Sequence, residues 1–364
     1  MPSKELFQAL EWAHYAERFR DKVFVIGLPE TASFTLLLPD IKVLTGYRIQ
    51  VVLAAPDPQG TLEGLVARSN TRGTRFQWIP PEHPLHPGEL KAILAQGRTP
   101  LLTSREAGQE YPSPAHRLAG KAAQALEAHK LFLLLPDTSP WQKALGRSHV
   151  TAEELAAWRK SPPPPEVSTE LLNFIERQLA QGVSDLVLLD GEPTQLFREV
   201  FTYDGAGVLF NRTRQPHIRQ ARVEDITNLM LLIRPGVEEG RILPVEENEV
   251  EEHIHQYWVY DIEGDLVGVA RLKPQGDQAE LAQFTTLSRY RGRGRAKELA
   301  QRLIDQARGQ GYQAVFALSV DPRMWAFFQG LGFQEVPRET LPTSWKKGYD
   351  FLRPSKAFRL HFKP

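Results

Sequence analysis

A chain of 364 residues with no cysteine can hold no disulfide, no thiolate metal site and no cysteine nucleophile, yet it is long enough for two domains with separate cores. Lys+Arg and Asp+Glu each number 44, so no basic surplus draws it to nucleic acid or to an anionic membrane. Met1–Phe19 has no apolar signal core and no apolar run is long enough to span a bilayer, so a soluble, cytoplasmic protein is the expectation.

The N-terminal half alternates apolar strands with helical windows. Lys22–Gly27, Ile49–Ala54, Leu131–Leu135 and Asp185–Leu189 read as buried parallel strands, and Leu118–Lys130 and Thr169–Gly182 as helices. That alternation predicts an α/β class, an αβα sandwich around a parallel sheet. Residues 56–116 are rich in proline, glycine and polar side chains and carry weak strand signals. The stretch Ser161-Pro162-Pro163-Pro164-Pro165 ends or redirects an element. The polar run Asn211–Pro216 lies between apolar segments and puts a domain boundary near residue 213, giving domains 1–213 and 214–364.

The C-terminal half opens with a strand, His217–Gln220, and a helix, Val223–Ile233, with Asp225 favourably placed in its first turn. Glu246–Tyr257 reads as a second helix. Trp258–Tyr260, Leu266–Leu272 and Glu280–Leu287 read as successive antiparallel strands, with Glu263-Gly264-Asp265 as a hairpin turn. After the loop Arg291–Ala296 comes a helix, Ala296–Gly309, whose Ala296, Leu299, Ala300, Leu303, Ile304 and Ala307 share one face. Ala314–Leu318 is a buried strand, Met324–Gly330 a short helix, and Phe358, Leu360 and Phe362 alternate with polar residues in a terminal strand. His253 and His255 stand at i and i+2, which do not face each other on a helix, and no carboxylate triad accompanies them, so no metal site is expected.

The order strand, Gly-rich loop, helix places backbone N–H groups at a helix N-terminus. Unpaired donors and the helix dipole both favour an anion there, and the arginines add charge-assisted contacts. A basic loop that touches RNA is the competing reading, but such patches work from disordered context, whereas this loop is bracketed by a strand and a helix. Arg291-x-x-Gly294-x-Ala296 resembles the acetyl-CoA loop of the GNAT N-acetyltransferases, Gln/Arg-x-x-Gly-x-Gly/Ala. Four further segments extend the resemblance to bacterial N-acetylglutamate synthases: Leu232-Ile233-Arg234-Pro235, Glu280-Leu281-Ala282, Trp325–Phe333, and Leu341-Pro342-x-Ser344 with Tyr349 and Arg353-x-Ser355-Lys356. In the N-terminal half, Leu188-Leu189-Asp190-Gly191 and Phe201-Thr202-x-Asp204-Gly205-x-Gly207 resemble the amino-acid-kinase domain of that family. The chain departs from the kinase pattern where Leu28-Pro29 replaces a glycine pair and where Ala55-Pro56-Asp57 replaces a glycine-containing loop. Without those glycines a phosphate is not approached closely, so no phosphorylating activity is expected.

The resemblance implies a degenerate amino-acid-kinase-like domain followed by an α+β GNAT domain that acetylates the α-amine of L-glutamate in arginine biosynthesis. It further implies acetyl-CoA as cosubstrate with no metal, arginine as an effector, and a homo-oligomer. Cofactor contacts fall on Phe284, Thr285 and Thr286 and on the loop residues Arg291, Gly292, Arg293, Gly294, Arg295, Ala296 and Lys297. Substrate carboxylates fall to Arg234, Arg353, Ser355 and Lys356, since each carboxylate suits a guanidinium or an ammonium. Glu280 is the candidate proton acceptor, directly or through water, against the alternative of a salt-bridged strand glutamate. Ser319 and Tyr349 are both candidates to protonate the departing thiolate. Lacking cysteine, the chain would transfer the acetyl group directly. Two other readings stay open here: an acetyltransferase for a different amino acid or small amine, and a non-catalytic amino-acid sensor or partner subunit.

Overall fold

The computed structural model describes residues 4–29, 34–70, 75–81, 83–106, 110–212, 215–347 and 349–362. The chain divides into two units, Gln8–Thr213 and Arg214–Pro364, the latter together with Met1–Phe7. The junction expected near residue 213 lies outside the described residues.

The first unit is built on eight strands: β1 (Val23–Gly27), β2 (Gln50–Pro56), β3 (Phe76–Ile79), β4 (Thr99–Ser104), β5 (Lys130–Leu135), β6 (His149–Thr151), β7 (Asp185–Asp190) and β8 (Val208–Asn211). They lie in the order β3-β4-β2-β1-β5-β7-β8-β6, parallel throughout except for the antiparallel pair β7–β8. One apolar core covers each face, which is why β5, with all six residues buried, shows no polar alternation. β3 and β4, together with helices Leu62–Asn70 and Pro87–Ala95, occupy the region whose strand signals were weak. The helix expected over Leu118–Lys130 runs instead from Pro114 to Ala125. Ser113 caps its start, and Glu127, at φ 50°, reverses the chain after its end.

The strand ends of this unit explain its altered loops. Leu28 and Pro29 are buried after β1, and the Leu28 N–H donates to the Ala54 carbonyl at 2.9 Å. After β2 the buried Asp57 accepts N–H bonds from Thr61 (2.7 Å) and Leu62 (3.2 Å). The chain's own carboxylate thus sits at the start of helix Leu62–Asn70, where an anion would otherwise bind. The run Arg198–Gly207 is a turn organised by Glu199, whose carboxylate accepts from the N–H groups of Ala206 (2.7 Å) and Gly207 (2.9 Å). A Cβ at Gly207 would lie 2.3 Å from the Leu188 carbonyl oxygen, so only glycine fits there.

The second unit carries β9 (Pro216–Gln220), β10 (Tyr257–Ile262), β11 (Asp265–Gln275), β12 (Gln278–Thr286), β13 (Ala314–Ser319), β14 (Gln334–Val336) and β15 (Lys356–His361). Their order is β14-β15-β13-β12-β11-β10-β9, antiparallel apart from the parallel pair β12–β13. The helix expected to stop at Ile233 continues through Pro235 to Glu238, so the proline's missing donor interrupts it less than the sequence suggested. The helix expected over Glu246–Tyr257 shortens to Glu247–Glu252, because His253 leaves helical geometry and Tyr257 already belongs to β10. Helix Arg295–Gly309 buries Leu299, Ala300, Leu303, Ile304 and Ala307 against the sheet, following its 3.6-residue period.

Two irregularities shape the centre of this sheet. The β12–β13 ladder pairs only Gln278, Ala279 and Glu280 with Ala314, Val315 and Phe316; beyond that point the strands part. On the other side of β12 the register with β11 shifts, two residues, Gln283 and Phe284, standing against Ala270 alone. Gln283 adopts φ 49°, an uncommon conformation for a side-chain-bearing residue, in this bulge.

Candidate active site

The parting of β12 and β13 leaves the backbone of β12 beyond Glu280 without a strand on that side, and two adjoining cavities lie along it. The smaller, of about 240 Å³, is lined by Thr285 and Thr286 of β12 and by Arg291, Gly292, Gly294 and Ala296 of the loop, with Arg295 beside them. Gly292 (φ 80°) and Gly294 (φ 75°) turn the chain through left-handed conformations that other residues resist, and Gly294 caps helix Arg295–Gly309. The first-turn N–H groups have no acceptor within the helix, and a glycine cap supplies none. Arg295 folds back to the Tyr290 carbonyl at 3.0 Å and across the Tyr290 ring, which keeps its charge beside the loop. This is a cradle for a diphosphate, with an exposed strand edge leading away from it that can pair with amides.

The larger cavity, of about 420 Å³, contains Glu280, Ser319, Tyr349, Arg353 and Ser355. Phe284, Arg241, Asp321 and Met324 line both cavities, so the two meet at the bulge in β12. Burial pushes the Glu280 carboxyl above the usual carboxylate range; the charges of Lys273 and Arg271 and the Trp345 indole N–H oppose that shift. Ser319 Oγ accepts from the Asp321 N–H at 3.0 Å, which leaves its hydroxyl hydrogen to donate elsewhere. The Trp325 indole N–H, donating to the Ser319 carbonyl at 2.8 Å, fixes the end of β13. The Tyr349 hydroxyl is 2.5 Å from Ser355 Oγ, and its ring stacks on Trp345 with centroids 4.3 Å apart. Arg353 donates through Nη2 to the carbonyls of Gly240 (2.8 Å) and Arg241 (2.9 Å), bracing the loop that forms the cavity's rim.

The remaining sequence candidates stand elsewhere. Arg234 lines neither cavity; its guanidinium is paired with Glu238 one turn further along the helix, at 2.5 Å. Lys356 also lies outside both, bonded to Glu335 at 3.0 Å and seated over the Trp325 ring. Arg293 and Lys297 belong to the loop and first helical turn but do not line the smaller cavity.

The lining of the larger cavity also includes Arg241, Arg271, Lys273 and Gln283, which were not singled out from the sequence. Arg271 and Lys273 alternate with Leu272 on β11, so a period-two reading carried past Leu272 would have put both on one face of the sheet. The two-residue turn Gly276-Asp277 then sets the register that brings Lys273 opposite Glu280 and Arg271 opposite Ala282. Among the described residues no cluster of histidine and carboxylate side chains could hold a metal ion, and no helix is long and apolar enough to cross a membrane.

Comparison with known proteins agrees with this geometry. The acetyltransferase (GNAT) family model matches residues 223–333. An amino-acid acetyltransferase of Azotobacter vinelandii is 26% identical over 363 residues, covering 94% of this chain and 82% of its own length. Enzymes of that name from Pseudomonas aeruginosa (30% over 294 residues) and Neisseria meningitidis (28% over 301 residues) are matched over 66% and 63% of their lengths. The chain therefore spans about two thirds of the length of several curated relatives. The crystal structure of N-acetylglutamate synthase from Neisseria gonorrhoeae with coenzyme A and L-arginine superposes with a TM-score of 0.60 at 20% identity, all of both chains being covered. The splayed β12–β13 pair, the loop at the helix start and the family model place a domain of the GNAT acetyltransferase family in the C-terminal unit of the chain.

Proposed function

We infer that this chain transfers the acetyl group of acetyl-CoA directly to the α-amine of L-glutamate. One arrangement carries the reading: an anion cradle and a cavity bearing cations and a proton acceptor meet at Phe284, where β12 bulges and leaves β13. The N–H groups of the loop and first helical turn hold the diphosphate, and the exposed edge of Thr285–Thr286 pairs with the pantetheine amides. The acetyl carbonyl then lies at the bulge, where a backbone N–H beside Phe284 stabilises the developing oxyanion.

Glu280 lies about 13 Å from Phe284 along β12, at the rise of a strand, so it takes the amine proton through water rather than by contact. Burial raises its proton affinity above that of an ordinary glutamate, which strengthens it as a base. Ser319, with its hydrogen free to donate, is the group we assign to protonating the thiolate; Tyr349 shares its hydroxyl with Ser355 and orients that side of the cavity. Arg353 keeps its remaining donors for an acceptor carboxylate while bracing the rim.

The test is thiol release from acetyl-CoA with purified protein. Glutamate is expected to drive it saturably, and Gly294→Glu, which puts a side chain and a negative charge into the cradle, is expected to abolish both release and acetyl-CoA binding. Unchanged binding in that variant would refute the cradle.

We further propose that Gln8–Thr213 is an amino-acid-kinase-like domain without kinase activity, through which arginine acts on the acetyltransferase, and that the chain assembles as a homo-oligomer. The buried Leu28-Pro29 turn and the Asp57 cap support the loss of phosphate binding. Assaying thiol release with and without arginine, alongside sedimentation of the full chain, tests effector and assembly.

A further inference from the structure

The anion cradle carries an acidic residue in its own first helical turn. Glu298 is exposed on helix Arg295–Gly309, and its Oε1 lies 4.0 Å from where a Cβ on the cap residue Gly294 would stand. The N–H groups of Arg295, Ala296 and Lys297 have no acceptor within the helix; that of Glu298 is the first to find one, the Gly294 carbonyl at 2.9 Å. A carboxylate so close to unpaired donors and to the positive end of a helix is drawn to them, as the acid of a capping box is. It would then take the place that a diphosphate needs. The carboxylate is instead turned to the sheet, where Glu298 Oε2 accepts from the Tyr260 hydroxyl at 2.7 Å. Tyr260 stands on β10, 2% exposed, in the same apolar cluster as Leu299 and Leu303 of the helix. It pairs across the sheet with Gly268, which pairs in turn with Thr286. A Cβ at Gly268 would lie 3.1 Å from Thr286 Cγ2 and 3.4 Å from Tyr260 Cβ, so the bare glycine lets this row pack closely. Burial, then the Glu298 hydrogen bond and charge, push the Tyr260 pKa up to about 12, so the hydroxyl stays protonated and donates to the carboxylate. Arg295 opposes that rise by its charge and a hydrogen bond, which puts its guanidinium beside the same hydroxyl.

We propose that Tyr260 is a positioning residue for acetyl-CoA: it holds Glu298, an internal competitor for the helix N-terminus, away from the diphosphate cradle. The inference rests on the acetyltransferase reading above and deepens it at the cosubstrate end. Neither Tyr260 nor Glu298 lines either cavity, so Tyr260 acts on the ligand only through the groups its hydroxyl engages. With the carboxylate bonded on the sheet side, the three N–H groups are left to the ligand. Once released, the carboxylate competes for them and adds a negative charge beside the phosphates.

The experiment compares wild type, Tyr260→Phe, Glu298→Gln and the double variant with two acetyl donors: acetyl-CoA, and S-acetylpantetheine, which carries the same thioester without the diphosphate. Tyr260→Phe keeps the ring and its packing but frees the carboxylate. It is expected to raise the acetyl-CoA KM roughly threefold to tenfold, the range of one net hydrogen bond. The kcat, the glutamate KM and the kcat/KM for S-acetylpantetheine should stay at their wild-type values. Adding Glu298→Gln should return the acetyl-CoA KM to the wild-type value, since the neutral amide no longer competes, and Glu298→Gln alone should not raise it. A KM still raised in the double variant, an equal loss with S-acetylpantetheine, or an unchanged KM in Tyr260→Phe would overturn the proposal. Thermal unfolding of each variant separates misfolding from altered binding. A wild type that neither binds acetyl-CoA nor releases thiol from it would instead sink the parent reading, so the two failures are distinguishable.

Discussion

Glu280 is pulled two ways: burial favours its neutral form, while Lys273 and Arg271 favour the carboxylate. As a base it must be ionised, so activity is lost as pH falls through its pKa, and the upward shift moves that loss above the range of an ordinary glutamate. The acid limb of kcat/KM is expected above 4.5, the unperturbed value. Glu280→Gln should lower kcat by roughly a hundredfold to a thousandfold, within the usual range for a positioned base, with acetyl-CoA binding retained. A variant with full kcat would make Glu280 a structural residue. Buried histidines contribute to acid stability, His116 the most deeply buried of them. His116 is buried over the end of β1 with Nε2 2.9 Å from the Leu134 carbonyl, and burial lowers its pKa to about 4. The folded state resists protonation that the unfolded chain accepts near 6.5, so its stabilisation is complete above that pH and is lost as pH falls towards 4. The full contribution is on the order of 3 kcal/mol. Denaturation midpoints between pH 7 and 4.5 should fall less steeply in His116→Gln than in the wild type; parallel slopes would remove His116 from the account.

At the scale of elements, what was local was legible. The strand before the loop, the glycines and the amphipathic helix Arg295–Gly309 could be read because each depends on neighbours a few residues away. The parting of β12 from β13 could not, since it depends on a long-range ladder that stops after Glu280. Lys273 was passed over because its place in the cavity comes from the cross-strand register with Glu280 rather than from its sequence neighbours. The pairing of Arg234 was hidden for a related reason: with the helix expected to end at Ile233, its partner Glu238 stood outside the element. Lys356 belongs to the same class, its carboxylate being supplied by Glu335. The turn Arg198–Gly207, read by resemblance, has a physical basis of its own in the Glu199 bonds and the missing Cβ at Gly207. Gly207→Ala must move backbone rather than a flexible side chain, and is expected to cost about 2–3 kcal/mol, read as a lower urea midpoint. A midpoint equal to that of the wild type would show that the turn yields without strain.

For the whole molecule, two units of α/β and α+β type share one chain, and the two cavities described above are lined by residues of the second. In the first, the places where phosphate-binding loops would stand are filled by a buried proline and by the Asp57 carboxylate. ATP is therefore expected to give no heat of binding in calorimetry with the full chain; tight binding would contradict the closed loops. In the second, everything turns on whether the thioester and the amine are brought together at the bulge in β12. The most direct measurement is a crystal structure of the protein with coenzyme A and N-acetylglutamate. The account predicts the diphosphate against the N–H groups of Gly292–Ala296, the thiol beside Phe284 and the product inside the cavity that holds Glu280. Coenzyme A bound away from the Gly292–Gly294 loop, or a product lying outside the Glu280 cavity, would contradict it.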